Sequence, residues 1–73
     1  MTFYKKRPIP ELRRWRGDYS LAQASDLLRV TRSTLWRWEE GERRIPGERV
    51  QEVSYLTGLA PEVLRPDIFR RQP

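Results

Sequence analysis

The amino-acid sequence predicts an all-α domain, a compact bundle of about five short helices. Its 73 residues leave room for one domain only. Apolar residues recur three or four positions apart in several segments, which is helical spacing, and no segment alternates like a strand of useful length. Residue types that begin and end helices separate these segments. Hydrophobic residues make up 37% of the chain, which is enough for a single core.

The N-terminal part of the chain is predicted to hold an arm and one short helix. We interpret Met1–Pro10 as an extended basic arm, because Pro8 and Pro10 disfavour a helix immediately before them. The first helix is expected at Glu11–Arg16, and Gly17 breaks it.

Two well-capped short helices follow. Ser20 is a favourable N-cap residue and Gln23 completes a capping box, which predicts a helix over Leu21–Leu28. Thr31 is a second N-cap and begins the next predicted helix, Thr31–Gly41, which ends at a glycine.

Two further helices are predicted in the C-terminal half. The first spans Gly47–Thr57, and its inward residues are expected to be Val50, Val53 and Leu56. The second is the short segment Pro61–Leu64, which has proline at its first turn. We expect the folded domain to extend over residues 11–69 and residues 70–73 to fray.

The helix over Thr31–Gly41 has two different faces. At about 100° per residue, Leu35 and Trp38 fall on one side and are expected in the core, as are Trp15 and Leu28. The opposite side, here called the outer face, is polar and cationic and carries Arg32, Ser33, Trp36 and Arg37.

Two short helices joined by about three residues, the second with a polar outer face, form a helix-turn-helix arrangement. The first helix then lies across the phosphate backbone of double-stranded DNA, and the second enters the major groove with its N-terminal residues at the base edges. We therefore predict base contacts from the outer face, Arg32, Ser33, Trp36 and Arg37. Phosphate contacts are predicted from the nearby basic residues Lys5, Lys6, Arg7, Arg43 and Arg44.

These assignments have plainer alternatives. Arg32 and Arg37 could be solvated surface residues, and Ser33 could serve only the first helical turn. Trp36 either lies against thymine methyl groups or sugars of the DNA, where it could also stack on Arg32, or packs against a partner subunit or a loop. Glu40 would repel phosphate unless it met a cytosine amine or stayed outside the groove.

The charge of the chain favours a nucleic-acid partner. It carries 15 Lys and Arg against 10 Asp and Glu, a net charge of +5, and only Lys5 and Lys6 are lysines. Arginine has a planar donor fork that suits phosphates and guanine edges. Composition therefore favours nucleic-acid binding over a merely solvated basic surface.

Missing residue types exclude several other functions. Without Cys the chain has no disulfide, thiol nucleophile or Cys-based zinc site, and without His it lacks the commonest metal ligand and general base. We expect no cofactor and no enzymatic activity. No apolar run approaches the ~20 residues of a membrane span, and the first ten residues lack the apolar stretch of a signal peptide, so a cytoplasmic location is expected.

The segment Ser20–Gly41, SLAQASDLLRVTRSTLWRWEEG, resembles the motif of the phage Cro and repressor family, in which V-(S/T)-x-(S/T)-T-hydrophobic-x-R-W-E-x-G is common. The TGLAPEVL run at Thr57–Leu64 and the LRPDIF run at Leu64–Phe69 extend the resemblance over about fifty residues. The resemblance implies a lambda-repressor-like fold and a sequence-specific transcriptional regulator, such as a repressor or phage switch. It also implies a homodimer on DNA.

The resemblance carries expectations for single residues as well. It implies an ion pair between Glu39 and Arg14 of the first helix. The turn position that is usually Gly is Arg29, which would cost roughly 1 kcal/mol in a left-handed conformation, unless the turn differs. The glutamine that often begins the first motif helix is replaced by Leu21, so its phosphate contact is either lost or moved to Ser20.

A protein-interaction module is the main alternative function. An antitoxin or an adaptor for a larger regulator would use the same fold, with Trp36 or the C-terminal segment as its docking surface. For the homodimer that the resemblance implies, we expect the interface at Tyr55–Phe69. Binding of single-stranded nucleic acid or RNA is a further option, but it does not explain the helix-turn-helix spacing.

Overall fold

The computed structural model describes residues 6–69, and all regular secondary structure in that range is helical. The predicted all-α fold of five short helices is confirmed. The helices are α1 (Pro10–Arg16), α2 (Leu21–Leu28), α3 (Arg32–Glu40), α4 (Gly47–Thr57) and α5 (Pro61–Leu64).

The capping residues predicted for α2 and α3 act as caps. Ser20 Oγ accepts a hydrogen bond from the Gln23 backbone N–H at 3.0 Å, and Gln23 Oε1 accepts one from the Ser20 N–H at 2.8 Å. Thr31 Oγ1 accepts from the Thr34 N–H at 3.1 Å. Gly41, with φ of 78°, ends α3 in the left-handed conformation. Since these contacts are local, the start of each motif helix follows from the sequence.

The turn between α2 and α3 contains a strained arginine. Arg29 has φ of 59° and ψ of 45°, and within residues 6–69 it is the only non-glycine residue with a positive φ. The turn therefore keeps the left-handed conformation that glycine adopts without steric cost. Its Cβ makes this conformation unfavourable by about 1 kcal/mol.

The core lies between the helices and is filled mainly by aliphatic side chains. It includes Leu28, Leu35 and Trp38 as predicted, and Trp15 packs against it while half-buried. The other fully buried large aliphatic residues are Leu12, Ile45, Val50, Val53 and Leu64.

One predicted core residue is on the surface. Leu56 is 40% exposed, although Val50 and Val53 are buried. Each step of three residues falls about 60° short of a full turn around the helix axis. Leu56, two such steps after Val50, therefore points about 120° away from it. Thr57 is closer to the inward direction, and its hydroxyl donates to the Val53 carbonyl at 2.7 Å.

The chain enters the domain across the C-terminal end of α3. Ile9 is buried, and its N–H donates to the Glu39 carbonyl at 3.1 Å. A Cβ on Gly41 would lie 2.6 Å from backbone atoms of Arg7 and Pro8. The folded unit thus includes Ile9 and Pro10, although both fall within the predicted arm Met1–Pro10. Residues 1–5 and 70–73 lie outside the described part of the chain.

Candidate nucleic-acid interface

The outer face of α3 borders an open hollow of about 320 Å³. Its walls are Leu21 of α2 and the four α3 residues Arg32, Ser33, Trp36 and Arg37. All four α3 side chains are exposed. Residues i, i+1, i+4 and i+5 share one side of a helix, so the sequence of α3 alone groups them. The structure therefore brings the four predicted base-contacting residues together around one solvent-facing hollow.

The two tryptophans of α3 have opposite surroundings. Trp36 is 45% exposed and lines the hollow, whereas Trp38 is 2% exposed and lies in the core. Residues that are two positions apart in a helix point about 200° away from each other, so the Trp38 ring faces the core and the Trp36 ring faces solvent. Trp36 is thus a large apolar side chain that stays on the surface beside two arginines.

Three acidic residues at the C-terminal end of α3 are each paired with a basic residue from the N-terminal part of the chain. Glu39 accepts two hydrogen bonds from Arg16, at 2.8 and 3.1 Å. The Glu40 carboxylate lies 3.7 Å from the Arg13 guanidinium. Glu42 pairs with Lys6, and this contact raises the pKa of the lysine. The charge of these carboxylates is therefore offset within the protein.

The ion pair of Glu39 is formed with Arg16, and the pair with Arg14 implied by the family resemblance is absent. Arg16 lies about 40° from the buried Leu12 on α1, so it points towards α3, whereas Arg14 lies about 200° from Leu12 and points to solvent. The hydrogen bonds to Glu39 raise the pKa of Arg16.

Several arginines keep their charge available to a partner. Within residues 6–69, the following arginine side chains are exposed and form no ion pair: Arg7, Arg14, Arg29, Arg32, Arg37 and Arg43. Two of them, Arg32 and Arg37, line the hollow. The carboxylates at the C-terminal end of α3 are therefore paired, whereas within the described residues the arginines on the outer face of α3 are not.

The residues predicted to contact phosphate differ in their surroundings. Arg7 and Arg43 are exposed and, with Arg44, line a cleft where the chain entry, the loop after α3 and the segment 63–67 meet. Arg44 donates to Asp67 at 3.2 Å, and Lys6 pairs with Glu42. Lys5 lies outside the described residues. Two of the residues predicted to contact phosphate, Lys6 and Arg44, are thus already paired with a carboxylate of the protein.

Ser20 and Leu21 lie at the start of α2. Ser20 is exposed, and its hydroxyl caps α2. Leu21 forms one wall of the hollow, a position that the sequence analysis does not assign to the site. Leu21 is the first residue of α2, and this position, next to the turn-linked helix α3, is the sequence feature that could have assigned it to the site.

No group of three or more Asp, Glu, His or Cys residues clusters within residues 6–69. None of the helices in this range is both long and apolar enough to cross a membrane.

Comparison with known proteins assigns the family. No curated protein and no solved structure shows a significant match to the chain. The family model of a helix-turn-helix domain matches residues 10–67, which is more than half of the chain. That family includes Cro-like and lambda-repressor-like DNA-binding domains, and its members are typically not enzymes. The chain belongs to this family of helix-turn-helix domains.

Proposed function

We propose that the chain is a sequence-specific regulator of transcription that binds double-stranded DNA with α3 in the major groove. The observation that carries this proposal is the grouping of Arg32, Ser33, Trp36 and Arg37 around one exposed hollow on α3. Arginine donates two parallel hydrogen bonds to guanine O6 and N7, and serine bonds to several base edges. A DNA-bound protein of this kind would act in the cytoplasm of its cell.

The charge pattern supports the same orientation on DNA. An unpaired carboxylate at the end of α3 would repel the phosphates that flank the groove. Glu39, Glu40 and Glu42 are paired within the protein, whereas Arg32 and Arg37 are not. Because an exposed basic loop follows directly after α3, we assign the best phosphate contact to Arg43.

We further propose that the protein binds as a homodimer to two half-sites. Helix-turn-helix repressors read half-sites that are about 34 Å apart, or a multiple of that distance, because one helical turn of DNA separates equivalent major grooves. Tyr55, Leu56 and Ile68 are exposed large hydrophobic residues within Tyr55–Phe69, the region where we expect the two copies to meet.

Selection of bound duplexes from a random pool, followed by sequencing, tests the function. We expect one preferred sequence, bound in the nanomolar range at about 0.15 M salt, with affinity falling steeply as salt rises. A two-fold symmetric site would support the homodimer. If no duplex were enriched and all sequences bound equally, the proposal would be wrong.

A protein-interaction module, such as an antitoxin or an adaptor, is the second candidate. The exposed Tyr55, which is 87% accessible, favours it because a large aromatic side chain in solvent is common at protein interfaces. Affinity purification of the protein at its natural abundance distinguishes the two. A stoichiometric protein partner combined with no duplex preference would favour this second function.

A further inference from the structure

We propose that the hollow on α3 reads the methyl group of a 5-methylpyrimidine next to a guanine. This inference rests on the proposed function and specifies what the site recognises. In the proposed complex, Trp36 and Leu21 pack against the methyl group, and Arg32 donates hydrogen bonds to the adjacent guanine. The methyl group belongs to thymine or, in modified DNA, to 5-methylcytosine.

The hollow combines apolar surface with free hydrogen-bond donors. Trp36 is about half exposed and Leu21 is partly buried beside it, and both border the same open volume as the two arginines. Trp36 keeps 45% of its surface open to solvent. Phosphates offer no apolar surface to such a wall, and sugars carry no sequence information, whereas the C5-methyl group of thymine is the apolar feature of the base edges in the major groove.

Arg32 is the arginine best placed to bond to the neighbouring base. It lies four residues before Trp36, so the two side chains occupy the same strip of the helix surface. The Arg32 side chain is exposed and forms no ion pair with the described residues, which leaves its donor fork open. Guanine O6 and N7 are the acceptors that match this fork.

Ser33 explains why either pyrimidine would be accepted. Thymine presents an acceptor at O4, whereas cytosine presents a donor at N4. The Ser33 hydroxyl donates or accepts, and within the described residues its side chain forms no hydrogen bond. The polar contact therefore adapts to both bases, and discrimination falls on the methyl group.

The test uses the duplex obtained by selection and changes single methyl groups. Each thymine that adjoins a guanine is replaced by deoxyuridine, which removes only the methyl group. In a second pair of duplexes, the same position carries cytosine or 5-methylcytosine opposite guanine. At the position that the hollow reads, we expect loss of the methyl group to weaken binding about fourfold in both pairs, as for withdrawing one buried methyl group.

Two variants locate the effect on the protein. Trp36→Ala should reduce the ratio of affinities for thymine and uracil to about one, while Trp36→Phe keeps most of it. Tyr19→Ala removes an exposed aromatic side chain outside both the hollow and the proposed dimer interface, so it is the matched control and should leave the ratio unchanged. Circular dichroism of each variant shows that it folds.

The possible results separate this inference from the proposed function. Tight binding to a selected duplex with no methyl effect at any thymine would overturn the inference and leave the function standing, as would a selected site in which no thymine adjoins a guanine. Failure to select any duplex overturns both. A methyl effect for thymine but not for cytosine would overturn the role of Ser33 and restrict the site to thymine.

Discussion

Arg16 on α1 binds the carboxylate of Glu39 on α3 through two hydrogen bonds, of 2.8 and 3.1 Å, at a point where Glu39 is only 4% exposed. This contact joins the first helix to the helix proposed to enter DNA. Loss of Arg16 would leave a buried carboxylate without its cation, which is far more costly than the loss of a surface ion pair.

We therefore predict that Arg16→Ala lowers the free energy of unfolding by about 3 kcal/mol. Urea unfolding followed by tryptophan fluorescence measures this change. Arg14→Ala is the matched control on the same helix, and it should change stability by less than about 0.5 kcal/mol because Arg14 is exposed and unpaired. Equal effects of the two substitutions would show that the ion pair does not explain the loss.

The same pair shows where prediction from sequence succeeds and where it stops. The caps of α2 and α3 were predictable because Ser20 and Thr31 bond to residues three positions away. The grouping of the outer face was also predictable, since it depends only on helical geometry. The partner of Glu39 depends on how α1 is rotated against α3, which the family resemblance misjudged by two residues.

Other differences have the same origin. The contact of Ile9 with the end of α3 joins residues that are thirty positions apart in sequence, and no local pattern marks it. Leu56 has apolar spacing but faces solvent, because spacing alone does not say where the core ends. The positive φ of Arg29 shows that the turn geometry persists without the usual glycine.

Arg29 offers a direct test of backbone strain. Replacing it with glycine removes the steric conflict of its Cβ, but glycine also gives the unfolded chain more freedom. We expect Arg29→Gly to raise the free energy of unfolding by about 0.5 to 1 kcal/mol. Arg29→Ala is the control: it removes the charge but keeps the Cβ, so its stability should stay close to that of the natural chain. If both variants were equally stabilised, charge and not conformation would be the cause.

Asp67 should make stability depend on pH in acid. The hydrogen bond from Arg65, with help from the charge of Arg44, holds the pKa of Asp67 well below its usual range. Because the pKa is lower in the folded state, this group contributes stability above its ordinary pKa of about 4, and the contribution is lost as the pH falls below that value.

We expect Asp67→Asn to lower stability at about pH 7 and to reduce the further loss between about pH 4 and pH 2. Denaturant unfolding at a series of pH values measures both effects. Asp18→Asn is the control, since Asp18 is exposed and its side chain forms no ion pair or hydrogen bond within residues 6–69. An unchanged acid-induced loss in Asp67→Asn would contradict the assignment.

Two arginines should affect DNA binding in different ways. Arg37→Ala is expected to relax preference at one base by about 1–3 kcal/mol, because it removes a proposed base contact. Arg43→Ala should weaken binding to all sequences alike and reduce the salt slope by about one, as for a lost phosphate contact. Arg44→Ala should have a smaller effect than Arg43→Ala, since Arg44 already pairs with Asp67. Titration of selected and scrambled duplexes at several salt concentrations measures these differences, and a uniform loss for both Arg37 and Arg43 would refute the division of roles.

Gly41 is required both for its backbone conformation and for the chain that crosses it. Its φ is 78°, and a Cβ there would lie 2.6 Å from backbone atoms of Arg7 and Pro8. Gly58 has nearly the same φ, 77°, but a Cβ there would meet nothing within 4 Å. The two glycines therefore separate the conformational cost of an alanine from the cost of displacing the entry segment.

We expect Gly58→Ala to lower the free energy of unfolding by about 1 kcal/mol, which is the conformational cost alone. Gly41→Ala should lower it by more than about 2 kcal/mol, because the backbone of the entry segment must also move and the Ile9 hydrogen bond to Glu39 is disturbed. Denaturant unfolding gives the two free energies, and amide exchange at Ile9 reports the local opening. Equal destabilisation by the two substitutions would mean that the entry segment does not press on α3 in solution.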